Sequence, residues 1–449
     1  MRSARSKKQE AKPSTPSDEY FKHVAEMYSE IMKSKDISGP ILVETAEDET
    51  AIISQIQWEA ATDQCWGWCG EEGEDHMCSN AAFFHTIGDG ENAFENLKDA
   101  FSRNKLGTNA RVVMLNPLHA ELPPMVILMQ ATCNKFNHKW VREQLAQIRD
   151  LYNKHLFHIL GPLVGNASDG DARRRKLHLQ NALSKDGERY CIDTPNFTMS
   201  GKIIDVDGIR SVTDLADQDY IHCGKKVINH LKHSSKTLML GEYWVHMHHV
   251  QCVMDNFPAM THGLRQSDID RIDRMNWESA QRLMFPKVRE CLEKINSGNG
   301  VAKEHVLGTA VFLKMCWMFV EIFQSLTASI LLRVQYASCV ANMLRIWRVW
   351  ISRHPTLTLK DNFVSTETYK DIIIACHHTV LITMASRDFA PNHPINYKRT
   401  GTNCCEDFFS SNGAFVMNKH NYTILDMYQN LNNMNRLVKS YILFQSLLA

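Results

Sequence analysis

The sequence predicts an α/β fold that is extended in its second half by a long, mostly helical region. Residues 111–115 and 125–129 are short apolar runs of the kind that form buried strands. Segments with apolar residues at helical spacing separate such runs, and this alternation is typical of α/β proteins. From about residue 238 to residue 385 the helical pattern dominates. A chain of 449 residues with 44% apolar content is long enough to bury a large core.

The chain opens with a segment that predicts disorder. Residues 1–18 are rich in Ser, Lys, Arg and Pro and carry almost no large apolar side chain. The neighbouring Lys7 and Lys8 resemble a nuclear-import signal, so we expect a nuclear location or otherwise a cytoplasmic one, although a solvated tail explains the same residues. Residues 19–35 then have apolar side chains at helical spacing and predict a first helix.

An acidic cluster follows between two predicted strands. The strands are predicted near residues 41–43 and 50–58, and the cluster between them contains Asp48 and Glu49. Carboxylates are costly to bury unless they are paired or hold a cation. The cluster is therefore a candidate source of metal ligands.

The balance of charge excludes a uniformly basic nucleic-acid binder. Lys and Arg together number 50, as do Asp and Glu, so the formal charge is zero and any nucleic-acid site has to be local. A predicted helix over residues 139–160 and a strand that ends in a turn precede the first basic group. The local basic candidates near this turn follow one another in sequence: Arg173, Arg174, Arg175 and Lys176.

A second basic group lies in the helical region. Arg345 and Arg348 alternate with Trp347 and Trp350, a pattern that suits contact with nucleic acid by charge and base stacking. The alternative is a core helix whose arginine stems reach outward to water. The most apolar run, residues 309–333, is interrupted by charged and polar side chains and predicts a buried helix rather than a membrane span.

Thirteen cysteines without a recognisable signal peptide predict reduced thiols. The spacing of Cys65, Cys69, His76 and Cys78 is compatible with a zinc site, since thiolate and imidazole suit that ion. The intervening Trp66-Gly67-Trp68 favours buried sheet instead, with the thiols as small core residues. We therefore do not expect zinc here.

Two further segments carry polar side chains that are candidates for binding phosphate or metal. Asp219, His222, Lys225 and Asn229 would share one face of a helix, which suits a site for phosphate and metal, although a solvated helix face has the same composition. Near the C-terminus, Glu406, with Asp407 beside it, lies in a segment flanked by Gly, Ser and Asn. Glu406 is a third candidate metal ligand.

The order of these motifs resembles the RNase H-like transposases of the P-element and THAP-associated type and, more distantly, the hAT transposases. Asp48-Glu49-Thr50 is similar to the Asp-Glu-Met-like strand that carries the family's first acid. Ser168-Asp169-Gly170 is similar to the turn that ends a strand before the second acid. The segment that begins at Asp219 resembles the family's Asp-Pro-x-His-x-x-Lys-x-x-Arg-Asn motif. The segment from Cys405 to Gly413, with Asn418 after it, resembles the motif around the last acid.

The resemblance covers about residues 40 to 435 and implies an RNase H-like mixed sheet with flanking helices, interrupted by a large helical insertion. The expected regions are a disordered basic tail (1–18), the first part of the core (19–237), the helical insertion domain (238–390), and the last part of the core with a C-terminal helix (391–449).

The resemblance also implies the chemistry. Asp48, Asp219 and Glu406 would be the catalytic acids and would bind Mg²⁺ or Mn²⁺. Two divalent ions held by carboxylates can activate a water or 3′-hydroxyl and stabilise the leaving oxygen in phosphoryl transfer. DNA is the expected partner, contacted by His222, Lys225, Asn229 and the basic residues named above. Self-association into a homo-oligomer is a further family expectation.

The sequence departs from the family pattern at three positions. Tyr220 replaces the usual Pro, Ile228 replaces an Arg, and Asn412 stands near the position of another Arg. The Cys-x-x-Cys zinc finger that such transposases carry N-terminally is absent from this sequence. The alternative function is therefore a domesticated, catalytically inactive descendant that binds nucleic acid or serves as a protein scaffold. A third interpretation is a structural protein whose acids are solvated surface groups.

Overall fold

The chain forms two compact units. The computed structural model describes residues 13–59, 64–71, 85–86, 93–183, 187–194, 197–206, 208–233, 236–270, 275–297, 306–415, 422–431 and 433–435. The first unit comprises Met1–Asn181, Val206–Thr213 and Ala385–Ala449, and the second comprises Ala182–Asp205 and Asp214–Met384. The domain boundaries at residues 238 and 390 stay a prediction.

The described strands are, in chain order, β1 (Val43–Ala51), β2 (Gln57–Glu59), β3 (Gln64–Trp66), β4 (Trp68–Glu71), β5 (His85–Thr86), β6 (Asn104–Leu106), β7 (Asn109–Pro117), β8 (Met125–Thr132), β9 (Leu163–Ser168), β10 (Arg189–Thr194), β11 (Phe197–Val206), β12 (Ile209–Thr213), β13 (Leu215–Gln218), β14 (Leu238–Leu240) and β15 (Tyr243–Val245).

The described α-helices are α1 (Asp18–Ser34), α2 (Ala93–Arg103), α3 (His138–His155), α4 (Phe157–Leu160), α5 (Ala172–Leu183), α6 (Tyr220–Lys232), α7 (Met247–Asn256), α8 (Ala259–His262), α9 (Gln266–Ile269), α10 (Trp277–Met284), α11 (Pro286–Ser297), α12 (Leu307–Gln324), α13 (Ile330–Arg353), α14 (Leu359–Asn362), α15 (Thr366–Phe389) and α16 (Asn403–Phe415). A 3₁₀ turn spans Tyr397–Arg399, and residues 424–431 are also helical.

Four strands of the first unit lie side by side in the order β9, β1, β7, β8. β1 pairs antiparallel with β7 and parallel with β9, and β7 pairs antiparallel with β8. The sheet is therefore mixed. β7 and β8 are buried along nearly their whole length, which explains the apolar runs in their sequences.

Helices cover both faces of this sheet. α1, α3 and α4 pack on one face around Val43, Val113 and Leu115, and α16 and the helix at 424–431 pack on the other around Ala46, Val112 and Met114. Because side chains alternate along a strand, Glu47 lies on the first of these faces, and Asp48 belongs to the face that α16 covers.

The second unit is mostly helical. Its core is built around α12, whose described neighbours α6, α10, α11 and α13 contribute to one apolar cluster. Tyr220 stacks on Phe323 with ring centroids 4.7 Å apart, and Gly224 permits close approach of α6 to Trp277, since a Cβ there would lie 2.7 Å from its ring. Two hairpins, β10–β11 and β14–β15, also lie in this unit.

The apolar helix predicted from the sequence is α12. Among the described helices it is the one that is long and apolar enough, by length and composition alone, to cross a membrane. Twelve of its residues are buried, and ten of these, Phe312, Phe319 and Phe323 among them, belong to the core of the second unit. Its apolar composition is thus explained by packing on several sides.

Local structure differs from the sequence prediction at three places. One continuous strand, β1, runs through the acidic cluster where two separate strands were expected, and residues 52–56 are not in a strand. The helix expected over 139–160 is interrupted at Leu156, between α3 and α4. Residues 1–12 of the predicted tail lie outside the described part of the chain, whereas the carbonyl of Pro13 accepts the Met129 N–H at 2.6 Å.

Candidate metal centre

Asp48 lies in the second half of β1, which is one of the two inner strands in the order β9, β1, β7, β8. The strand pairs on both sides, and only 8% of Asp48 is exposed. Its Oδ1 accepts the backbone N–H of Glu49 at 2.7 Å. Carboxylate oxygens are the ligand type that hard cations prefer, so Asp48 stays a candidate ligand.

A second aspartate follows the neighbouring parallel strand. Ser168, the last residue of β9, lies opposite Glu47 of β1. The next residue on each segment is an aspartate: Asp169 follows Ser168, and Asp48 follows Glu47. Asp169 is partly exposed, and its Oδ1 accepts the N–H of Asp171 at 3.1 Å. The Ser168-Asp169-Gly170 turn was expected from the sequence, but Asp169 was not among the predicted ligands. The turn itself was the available signal.

Glu406 is in the first turn of α16, the helix that packs on the Asp48 face of the sheet. The preceding residue, Cys405, is fully buried, and its thiol donates to the carbonyl of Ala46 at 3.5 Å. Burial raises the pKa of Cys405, and its neighbour Cys404 and the charge of Asp48 raise it further. The N-terminal turn of α16 therefore lies against β1 close to Asp48.

The remaining predicted acid, Asp219, belongs to the second unit. It is the N-cap of α6, where its Oδ1 accepts the His222 N–H at 2.8 Å, so it precedes the helix instead of lying within it. Lys225 is buried, and His222 and Asn229 are partly exposed on the same helix. Capping satisfies an otherwise unpaired backbone donor and is a sufficient structural reason for an aspartate at this position.

On the other face of β1, Glu47 is the centre of a buried ion-pair network. Its Oε1 accepts from Arg111 Nε at 2.7 Å and lies 2.6 Å from Arg174 Nη2, and all three side chains are at most 3% exposed. Burial alone would raise the pKa of Glu47, but the two guanidinium groups outweigh it and hold the pKa at about 2. Arg174 Nη2 also bonds Glu49 Oε1 at 2.9 Å.

The basic run at the start of α5 has a mixed environment. Arg174 is buried in the network around Glu47, Arg173 pairs with Asp171 at 3.0 Å and covers the ring of Phe136, and Arg175 donates to the carbonyl of Gly170. Lys176 is exposed. Contact of these four residues with nucleic acid stays a prediction.

The arginines of α13 also differ from each other. Arg345 is buried, with its Nη2 at 2.7 Å from His377 Nε2, whereas Arg348 is exposed and lies over the ring of Tyr369. Trp347 is in the core and donates to the carbonyl of Met239. At Arg345 and Trp347 the helix has the character of a core helix, which was the alternative interpretation of this segment.

The structure describes two of the four residues that were considered as zinc ligands. Cys65 on β3 and Cys69 on β4 are buried, next to the buried rings of Trp66 and Trp68. His76 and Cys78 lie outside the described residues. The buried sheet expected around Trp66 and Trp68 is present.

Side chains of metal-binding types are also buried elsewhere. Glu44 is fully buried on β1 in the first unit. In the second unit, His378 Nδ1 lies 3.4 Å from Asp217 Oδ1, and both side chains are at most 1% exposed. Buried groups of this kind can hold a metal ion or pair with each other.

The positions at which the sequence departs from the transposase pattern are core positions. Tyr220 and Ile228 are each 1% exposed in the core of the second unit. Asn412 is fully buried in α16, where its amide donates to the carbonyl of Phe408 at 2.9 Å. Packing therefore explains Tyr220 and Ile228.

Comparisons with known proteins support the fold. No family model matches the sequence, and no curated protein matches it. Among solved structures, the chain is similar to one described as the Drosophila P element transposase strand transfer complex, with a TM-score of 0.60 and 12% sequence identity over 92% of this chain and 80% of that chain.

The fold defines the class of protein as RNase H-like, with a mixed sheet between helices and a large helical unit in addition. The resemblance inferred from the sequence motifs is thereby confirmed at the level of the fold.

Proposed function

We propose that the protein is a transposase-related DNA-processing protein that uses divalent cations for phosphoryl transfer on DNA. The observation that carries the proposal is the pairing of β1 with β9, in which the last paired residues, Glu47 and Ser168, are followed by Asp48 and Asp169. Glu406, on a helix that packs against the same strand, adds a third carboxylate. Three carboxylates are the ligand type that Mg²⁺ and Mn²⁺ prefer.

The carboxylates would each have a defined task. Asp48, Asp169 and Glu406 would hold the ions through their carboxylate oxygens. Such ions, when bound, supply charge stabilisation to the attacking and leaving oxygens. Because β1 and α16 are packed into the core, the ligands would be held in place before DNA binds. Asp219 remains the alternative second ligand proposed from the sequence.

The experiment is a nicking assay on duplex DNA with Mg²⁺ or Mn²⁺, with and without a chelator. Wild-type protein is expected to nick DNA only with the metal, and Asp48→Asn is expected to abolish nicking. Glu121→Gln, which changes an exposed carboxylate of the same unit, serves as the matched control. Metal-independent nicking, or nicking that survives in Asp48→Asn, would contradict the proposal.

A second function is favoured by the core positions described above. Ile228 and Asn412 stand near positions where the transposase pattern has arginines, and both are buried here. A descendant that has lost phosphate contacts would bind nucleic acid or other proteins without cleaving DNA. In the same assay, equal DNA affinity of wild type and Asp48→Asn with no nicking by either would support this scaffold function. Nuclear location and self-association belong to both proposals.

A further inference from the structure

Arg174 connects the strand that carries Asp48 to the helix that follows Asp169. From the first turn of α5 its guanidinium reaches two carboxylates of β1. Nε donates to Glu47 at 2.8 Å, and Nη2 donates to Glu49 at 2.9 Å. These two acids are the immediate neighbours of Asp48 in sequence. One side chain thus fixes β1 on both sides of the candidate ligand.

The same helix start holds the turn that contains Asp169. The Asp171 carboxylate caps α5 by accepting the N–H groups of Arg173 and Arg174 at 2.9 and 3.4 Å. The N–H of Asp171 in turn donates to the carboxylate of Asp169 at 3.1 Å. A continuous set of hydrogen bonds therefore runs from β1 through Arg174 and Asp171 to Asp169.

The acidic side chains around this connection favour a positively charged side chain at position 174. Five carboxylates belong to these two neighbouring segments: Glu47, Asp48 and Glu49 follow one another in β1, and Asp169 and Asp171 follow β9. Within the described residues, Arg174 is the basic side chain that bonds both Glu47 and Glu49. The planar fork of arginine can serve two carboxylates at once, which the single ammonium of a lysine does less well.

We propose that Arg174 is a positioning residue that holds Asp169 in register with Asp48, so that the two carboxylates are correctly spaced before a divalent cation arrives. This inference deepens the proposed function and rests on it. Arg174 belongs to the basic run considered for DNA contact, and the structure gives it an internal role. Groups that orient metal ligands commonly affect metal affinity by about 10- to 100-fold.

The test compares Mn²⁺ affinity, measured by calorimetry, in wild type and Arg174→Lys. The substitution keeps the positive charge but removes the planar guanidinium group. A change in Mn²⁺ affinity therefore reports the geometry of the site and not its charge. We expect the Kd for Mn²⁺ to rise about tenfold or more. Nicking should recover toward the wild-type rate at saturating Mn²⁺, because the ligands themselves are unchanged. A merely structural role would not produce this recovery.

The matched control is Arg142→Lys. Arg142 also bonds α5, through Gln180 Oε1 at 2.7 Å, but at an exposed site, so this variant should keep wild-type Mn²⁺ affinity. If Arg174→Lys does not fold, Asp171→Ala interrupts the same connection between Arg174 and Asp169. This variant should also raise the Kd for Mn²⁺. Asp171 is partly exposed, so this second variant is less disruptive to the core.

The outcomes separate this inference from the proposed function. If wild type binds Mn²⁺ through Asp48 and the folded Arg174→Lys variant binds it equally well, the positioning role is overturned and the proposed function stands. If wild type shows no Mn²⁺ binding that depends on Asp48, with or without DNA, the proposed function fails and the positioning role fails with it.

Discussion

Glu47 and Ser168 lie opposite each other in the parallel pairing of β1 with β9, and the residue after each of them is an aspartate. The carboxyl ends of adjacent parallel strands are a common place for functional side chains in α/β proteins. This relationship makes the pair Asp48 and Asp169 the most specific structural feature of the candidate metal centre.

The first prediction separates Asp169 from Asp219 as the second ligand. Asp169→Asn should weaken Mn²⁺ binding about tenfold or more, because a neutral amide is a poorer ligand for a hard cation. Asp219→Asn should leave the affinity near the wild-type value, since Asn caps a helix as well as Asp does. Calorimetry on the two variants decides the point, and the reverse result would restore Asp219 as the second ligand.

The second prediction concerns Glu47 and acid stability. Glu47→Gln leaves the buried guanidinium groups of Arg111 and Arg174 without their shared carboxylate, so it should lower the free energy of unfolding by about 3–5 kcal/mol. The folded pKa of about 2 lies below the unfolded value of 4.5, so this stabilisation is present above pH 4.5 and is lost as the pH falls toward 2.

Urea unfolding between pH 7 and pH 3 measures this effect. Wild type should lose stability more steeply than Glu47→Gln as the pH falls below 4.5, and Glu121→Gln should follow wild type. Parallel pH profiles for wild type and Glu47→Gln would show that the ion-pair network does not stabilise the fold in this way.

The third prediction concerns His377, next to Arg345 in the second unit. Burial and the Arg345 charge lower the pKa of His377 to about 3 from an ordinary 6.5. The unfolded chain therefore takes up a proton between pH 6.5 and 3 that the folded chain does not, and stability should fall as the pH falls through this window, by at most about 1.4 kcal/mol per pH unit.

His377→Gln should remove this contribution from the pH dependence of urea unfolding. His248→Gln, which changes an exposed histidine of the same unit, should not. Observation of an NMR titration of the His377 ring near pH 6.5 in the folded protein would refute the prediction directly.

The fourth prediction concerns Gly161, at the junction of α4 and β9. Its φ is +109°, and an added Cβ would lie 2.8 Å from the carbonyl oxygen of Ile41. Gly161→Ala should therefore destabilise the protein by about 2–5 kcal/mol through backbone strain and steric overlap. Gly208 also has a positive φ, +81°, but an added Cβ there meets no heavy atom within 4 Å.

Gly208→Ala is accordingly the matched control, with an expected cost of only about 1 kcal/mol. Thermal and urea unfolding of both variants measures the difference. Equal destabilisation by the two substitutions would mean that φ alone, and not the contact with Ile41, governs the effect.

Much of the fold could be predicted from local sequence patterns. The runs at 111–115 and 125–129 are within β7 and β8, the first helix is α1, and the RNase H-like class is confirmed. The strands and the first helix could be predicted because hydrophobic periodicity acts over a few residues, whereas the RNase H-like class was inferred from the order of the motifs. Two strands were expected around the acidic cluster because apolar residues flank it on both sides. One strand runs through the cluster because Glu47 is buried against Arg111 and Arg174.

The candidate site was harder to predict because it depends on contacts between distant parts of the sequence. Asp169 joins Asp48 through the pairing of β1 with β9, and no local pattern encodes that register. Arg174 was grouped with its basic neighbours by charge alone. Its burial follows from Glu47, a partner more than a hundred positions away.

The contacts of Met129 bear on how the protein avoids self-association through its sheet. β8 is the last of the strands in the order β9, β1, β7, β8, and the Met129 N–H and carbonyl bond Pro13 and the Tyr428 hydroxyl, neither of which is in a strand. Exposed edge strands recruit strands of other molecules. A shortened protein that begins at α1 would uncover the Met129 N–H, and its tendency to aggregate should rise accordingly.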